Sequence, residues 1–453
     1  MIPFQEPLSV TLPKNPAFLP PLLKMGTSFF ENCGGSQERA LRMELALEEL
    51  FIMLSRSPHL SEKSLLEISF RRAPLGVRII ITDRHASPFS AEALQKKEGL
   101  SEEDFSEETL GIFLLKKMAD LVSLHQQGEE GDIYHLFFSL EESVPPGKPR
   151  EKKHLIPGDH RVLQVSSLSP EEAEGAASFL QELFPKASRR APWISSGKIR
   201  NLLLSERLIP CTLRNRGGQV FGFSGLFYQE ENLQMPRILP PWVHPELPFS
   251  EVGGQMIAYL LDQARSRKCP GVTAMLLSEE EEKLDLFTRH GFARCARIPN
   301  AFDFTRYAPG KSGDLLCHIF RKDPLPPLFA SWEDQKRIEP LLRNAGYTPV
   351  FARPQLDISL MGRSVLQITV SPEEERGEIR ILHFGVDLFL QTRQALQHLR
   401  KLGIPGVLLK LPLGNPQTSL FADKFHEMGF ASCGILPNLP EGMEILFYLP
   451  FTA

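Results

Sequence analysis

RALRMELALEELFIMLS, residues Arg39–Ser55, is the stretch whose reading decides the fold. Its apolar residues Leu41, Leu45, Leu47, Phe51 and Leu54 recur at mixed three-, four- and two-residue steps, which predicts an amphipathic helix with a wide buried stripe. Glu48 and Glu49 stand together at its centre, so one of them faces the edge of that stripe. A carboxylate there is either a solvated flank, because Glu is rarely buried unless paired, or a reactive acid.

Upstream, Leu8–Leu12 alternates as a short edge strand and Phe18–Cys33 reads as a helix ended by Gly34–Gly35. Ser36 is placed to cap the long helix. Downstream, strands at Leu65–Phe70 and Val77–Ile81 join through the turn Pro74–Gly76, and Asp83 opens the irregular stretch DRHASPFS. The acidic segment Ser101–Thr109 suits the first turn of a helix over TLGIFLLKKMADLV, Thr109–Val122. A terminal strand is expected at Ile133–Leu140.

This order resembles the histidine-kinase-type (Bergerat) ATPase fold, most closely that of the anti-sigma-factor serine kinases. The resemblance implies ATP as ligand, Glu49 as the acid that activates water, and an Asn four residues later on magnesium. It also implies Asp83 as the reader of adenine, and a glycine-rich box at Thr109, Leu110 and Gly111 closing over the phosphates. The chain departs from the family in all three boxes. Met53 stands where the Asn belongs, and a thioether does not replace a hard oxygen donor. His85 replaces the glycine expected two residues after Asp83, and Glu107 and Glu108 bring negative charge to the phosphate box. The departures point to a retained fold with weak or absent ATP turnover.

The 453 residues suggest about three domains, and 42% apolar with 23% charged residues is the composition of a soluble globular protein. A net charge of −4 gives no electrostatic reason to bind nucleic acid. The six cysteines are scattered without a Cys-x-x-Cys, and the twelve histidines show no metal spacing, so no metal is expected. No secretory pattern opens the chain and no apolar run is long enough to cross a membrane, which predicts a cytoplasmic protein.

SVPPGKPREKKHLIPGD, Ser143–Asp159, is proline-rich, basic and aperiodic, the clearest linker. Beyond it come a strand at His160–Val165, helices at Ser169–Leu183 and Ser196–Ser205, and strands at Leu208–Arg214 and Val220–Tyr228. A strand over Gln234–Val243 is interrupted by Pro240–Pro241. The helix VGGQMIAYLLDQARSR (Val252–Arg267), the strand Val272–Ser278, the helix Glu279–His290 and Gly291-Phe292 complete the run.

That run resembles the GCN5-related N-acetyltransferase (GNAT) family, in which the helix after a splayed strand receives the acyl-CoA pyrophosphate on its first amides. The resemblance places the strand end at Val243, His244, Pro245 and Glu246. It places the last glycine of the Arg/Gln-x-x-Gly-x-Gly box at Gly253, followed by Gly254, with acetyl-CoA as the implied ligand. Pro248 stands at the first box position and Glu251 at the middle glycine, so this box is also incomplete. Gly253-Gly254 has a second reading, as a close helix–sheet contact.

After the linker KDPLPPL (Lys322–Leu328), a helix at Ser331–Gly346 and strands near Leu356–Leu360, Ser364–Val370 and Glu378–Phe384 follow. A helix at Asp387–Leu402, a strand at Val407–Leu411 and a helix at Thr418–Met428 repeat the same rhythm. HGFARCARIP (His290–Pro299) and MGFASCGILP (Met428–Pro437) are the best internal match. The expected architecture is mixed α/β. It comprises an ATPase-like domain over 1–145, a linker over 146–159, an acetyltransferase-like domain over 160–322 and a degenerate second copy over 323–453.

Three functional readings stay open. The first is a regulatory binding protein whose partner, by family resemblance, is a sigma factor or an anti-sigma antagonist. The second is an N-acyltransferase using acetyl-CoA with a nucleotide-sensing first domain, and the third a working anti-sigma-type serine/threonine kinase.

Overall fold

The computed structural model describes residues 7–56, 64–73, 76–84, 115, 118–126, 131–140, 163–184, 195–229, 232–299, 311–321, 324–354, 362–371, 376–401, 404–438 and 442–451. Its first elements are β1 (Leu8–Pro13), α1 (Leu19–Asn32), α2 (Gln37–Ser55), β2 (Leu65–Ala73), β3 (Gly76–Asp83), β4 (Leu121–Gln126) and β5 (Asp132–Ser139). Next come β6 (Gln164–Ser166), α3 (Ala173–Leu183), α4 (Ser196–Leu204), β7 (Leu208–Arg214), β8 (Val220–Gln229), β9 (Asn232–Ile238) and β10 (Trp242–Val243). They are followed by α5 (Phe249–Ser266), β11 (Gly271–Leu277), α6 (Glu281–Arg289), β12 (Ala293–Ile298), β13 (Gly313–Ile319) and α7 (Trp332–Asn344). The last are β14 (Val365–Ser371), β15 (Arg376–His383), α8 (Leu388–Lys401), β16 (Gly406–Pro412), α9 (Gln417–Glu427), β17 (Ala431–Asn438) and β18 (Gly442–Pro450). These elements divide into two compact units, one of residues 1–142, 356–411 and 448–453, the other of 143–355 and 412–447. Residues beyond 323 therefore contribute to both.

In the first unit β1, β2, β3, β5, β4, β14 and β15 pair antiparallel in that order, and β16 joins β15 in parallel. Helices α1 and α2 bury their apolar faces with this sheet. Leu22, Phe30, Met43, Leu47, Leu50, Phe51 and Leu54 share one core with Ile68, Phe70, Ile79, Ile81, Leu136 and Phe138. Ser36 caps α2 as expected, accepting a hydrogen bond from the Arg39 amide. The stripe on α2 needs correction, because Leu41 and Leu45 are 55% and 41% exposed. Residues two apart lie on different helix faces, so Leu45 cannot share a face with Leu47. The buried stripe is Ala40, Met43, Leu47, Leu50 and Leu54, three and four residues apart.

The helix expected through Val122 also stops short. Leu121 and Val122 already belong to β4, which pairs Leu121 with Phe137 and Val122 with Leu136. Arg39 ties α2 to this edge by donating to Asp120 Oδ2 at 2.9 Å, and Asp120 accepts from the Ser139 amide at 2.7 Å.

In the second unit β6, β7 and β8 pair antiparallel, and both β9 and β10 pair with β8. The single strand expected over Gln234–Val243 is thus two strands. Pro240 and Pro241 lack the amides a continuous ladder needs. β11 meets β9 in parallel at one Cα pair, Thr273 with Arg237, then continues antiparallel to β13, and β13 to β12. Helix α5 lies against this sheet through Met256, Ile257, Leu260 and Ala264.

The internal match acquires a geometric meaning. β12 and β17 pair antiparallel through Ala296 and Gly434, which occupy equivalent positions of the two matching segments. Equivalent residues meeting antiparallel is the signature of a local two-fold axis. Gly434 has φ +145°, and a Cβ there would lie 2.4 Å from Ala296 Cα, so only glycine fits the crossing. The strand expected near Leu356–Leu360 lies outside the described residues.

Candidate functional site

The first candidate site follows from strand periodicity. Along β3, Val77, Ile79, Ile81 and Asp83 all point inward, so the alternation that buries three hydrophobes also buries a carboxylate. A buried carboxylate needs a partner. Register supplies it: β1 sets Pro13 opposite Leu65 on β2, while Leu66 lies opposite Asp83 on β3. The residue after Pro13 is Lys14, and its Nζ donates to Asp83 Oδ2 at 2.6 Å with the two side chains 1% and 0% exposed.

Asp132 stands opposite Asp83 on β5 and is also buried. Burial first, and then the carboxylates of Asp132 and Asp83, hold the Tyr134 phenol well above its ordinary value. Gly131 lets the backbone close over this cluster. Its φ is +96°, and a Cβ would lie 2.0 Å from the Asp83 carbonyl oxygen. Sequence reasoning missed Lys14, whose only signal is its place directly after an alternating strand.

The carboxylate that family resemblance assigns to adenine is therefore engaged by an ammonium from the same chain. Glu49 is half-buried on α2, and Met53, one turn on, is buried in the core. Glu48 lines an outer cleft of about 510 Å³ between α1 and α2, together with Leu23, Lys24, Glu31 and Glu44. Thr109, Leu110 and Gly111, with His85, Glu107 and Glu108, lie outside the described residues.

The second candidate site is the start of α5. Val243 sits half-buried on β10, paired with Gly222. The helix begins at Phe249, three residues earlier than expected, with Pro248 as its N-cap. The Pro248 carbonyl accepts from the amides of Glu251 and Val252 at 3.2 and 3.1 Å. The amides that precede these bonds are those of Phe249 and Ser250, and Pro248 has none to offer. Glu251 is exposed in the first turn, where a carboxylate favours the helix itself. Beside it, Arg289 donates to Ser250 Oγ at 3.4 Å.

Gly253 and Gly254 make a close contact, but with a helix and not with the sheet. A Cβ on Gly253 would lie 2.9 Å from Leu286 Cδ2, and one on Gly254 3.3 Å from His290 Cε1, both on the α6 side. Among the described residues no group of three His, Cys, Asp or Glu could hold a metal ion, and no described helix is long and apolar enough to cross a membrane.

Residues 12–135 match the family model of the histidine kinase-like ATPase domain. Solved structures similar to part of the chain include a GNAT-family acetyltransferase from Streptococcus pneumoniae, at 11% identity, with TM-score 0.31, covering 35% of this chain and 99% of that one. A putative acetyltransferase from Salmonella typhimurium, solved with its cofactor acetyl-CoA, is 13% identical, with TM-score 0.31 and coverage of 36% and 97%. A ribosomal-protein-alanine N-acetyltransferase from Brucella melitensis is 16% identical, with TM-score 0.29 and coverage of 35% and 99%. No curated protein sequence matches the chain.

Proposed function

We propose that this protein is a regulatory binding protein that keeps an ATPase-like fold and an acetyltransferase-like fold without the chemistry of either. The observation that carries this reading is the buried Lys14–Asp83 ion pair. To read adenine, Asp83 must accept from the base with a carboxylate whose Oδ2 Lys14 already takes at 2.6 Å. A base that displaced the ammonium would leave a buried charge uncompensated, at a cost of about 3–5 kcal/mol. Met53 supports the same reading, since a buried thioether offers magnesium no oxygen.

In the second unit, the proline cap and the glycines committed to α6 support a helix start kept for packing. A protein partner suits this reading, and family resemblance makes it a sigma factor or an anti-sigma antagonist. The test is magnesium-dependent ATP hydrolysis by the full chain. We expect a rate at buffer background, identical in wild type and Glu49→Gln. Turnover that Glu49→Gln abolishes would overturn the reading and restore the kinase alternative.

A further inference from the structure

Two cysteines far apart in sequence meet in the second unit. Cys295 lies on β12 at a bulge, between the pairs Arg294–Leu316 and Ala296–Leu315, so the extra residue turns its side chain inward. Cys317 lies on the neighbouring strand β13, in register with Ala293. Their Sγ atoms are 2.6 Å apart and both residues are buried. Cys295 also faces the Ala293 carbonyl, and the other thiols of this unit face oxygen: Cys211 the Met256 carbonyl, Cys269 the Tyr228 hydroxyl and Cys433 the Leu446 carbonyl.

We propose that Cys295 and Cys317 are a dithiol modification site that closes to a cross-strand disulfide and reopens with reductant. The bulge brings the two sulfurs to 2.6 Å, within contact distance of each other and above the roughly 2.05 Å of an S–S bond, so closure brings them closer by about 0.6 Å. The Cys317 thiol beside it, and then burial, hold the Cys295 thiol well above its ordinary value, so the Cys295 thiolate is scarce. Closure takes two protons and two electrons from the pair. With a diazene as acceptor, one thiolate adds to the N=N bond. The second thiol then displaces that nitrogen from sulfur, forming S–S and releasing the hydrazine. With a soluble disulfide, exchange passes through a mixed disulfide and releases two small thiols. The bridge pins the bulge next to Ala296, and so stiffens the crossing of β12 and β17 at Gly434.

The test treats the full chain with diamide and maps it without reduction. Trypsin cuts after Arg294, Arg297, Lys311 and Arg321, so the bridge appears as Cys295–Arg297 joined to Ser312–Arg321, and dithiothreitol separates the two peptides. We expect this linked pair in wild type, with a raised melting temperature on oxidation. In Cys317→Ala we expect neither the link nor the rise. The proposal is overturned if both thiols stay alkylatable after oxidation, or if Cys295 is found joined to a different cysteine.

Discussion

Lys14 and Asp83, separated by 69 positions in sequence, form a 2.6 Å ion pair shielded from water on both sides. Such a pair contributes little net stability when whole but is costly to break by halves. We therefore predict that Lys14→Met destabilises the first unit by about 3–5 kcal/mol, as one charge is left buried without its counterion. The double variant Lys14→Met, Asp83→Leu should recover most of that loss. Urea denaturation of the four corners of this cycle checks it, and additive losses would show that the two residues do not act as a pair.

Gly434 carries the crossing of the two repeat-related strands, and its replacement should be felt across the second unit. Gly434→Val adds a β-branched side chain at φ +145° within 2.4 Å of Ala296 Cα. We predict a loss of about 3 kcal/mol or more, the range of backbone strain combined with overpacking. Gly414→Ala is the control, because a Cβ there meets nothing within 4 Å. Thermal melts of the two variants should differ clearly.

Glu172 gives a pH signature. Hydrogen bonds from Arg214 and then from the Ser169 amide lower its carboxyl from 4.5 to about 2. A depressed folded-state value adds stability above the unfolded value, and that stability drains away as pH falls through the folded one. The Glu172 side chain is 47% exposed, so solvent screening limits this contribution to about 1 kcal/mol or less. Wild type should therefore exceed Glu172→Gln in stability at pH 7, and the gap should close between pH 4.5 and about 2. Parallel denaturation curves at pH 7 and pH 3 check the sign.

The elements with strong local signals were legible. Ser36, the helical period of α2 and the strand pair β2–β3 rest on capping, periodicity and turn residues, which act within one turn or one strand. What escaped depends on register and packing. A lysine after Pro13 reads as a solvated flank until β1, β2 and β3 are aligned, and only then does it fall beside Asp83. Leu41 and Leu45 are apolar and exposed, so composition along α2 could not choose between two overlapping stripes. The glycine pair Gly253–Gly254 was visible as a close contact, but its partner α6 is a tertiary fact. The meeting of Ala296 with Gly434 followed from a match that sequence showed and a pairing that it did not.

The central claim is that both folds are kept without their ligands, and a ligand that binds only the folded chain must raise its melting temperature by mass action. The direct measurement is a thermal-shift panel on the full chain with magnesium ATP, ADP, acetyl-CoA and CoA, each at millimolar concentration. We predict that none shifts the transition by more than about 1 °C, the effect of ligand at concentrations no greater than its Kd. A saturable rise of several degrees with ATP or with acetyl-CoA would contradict the claim and identify which fold still holds its ligand.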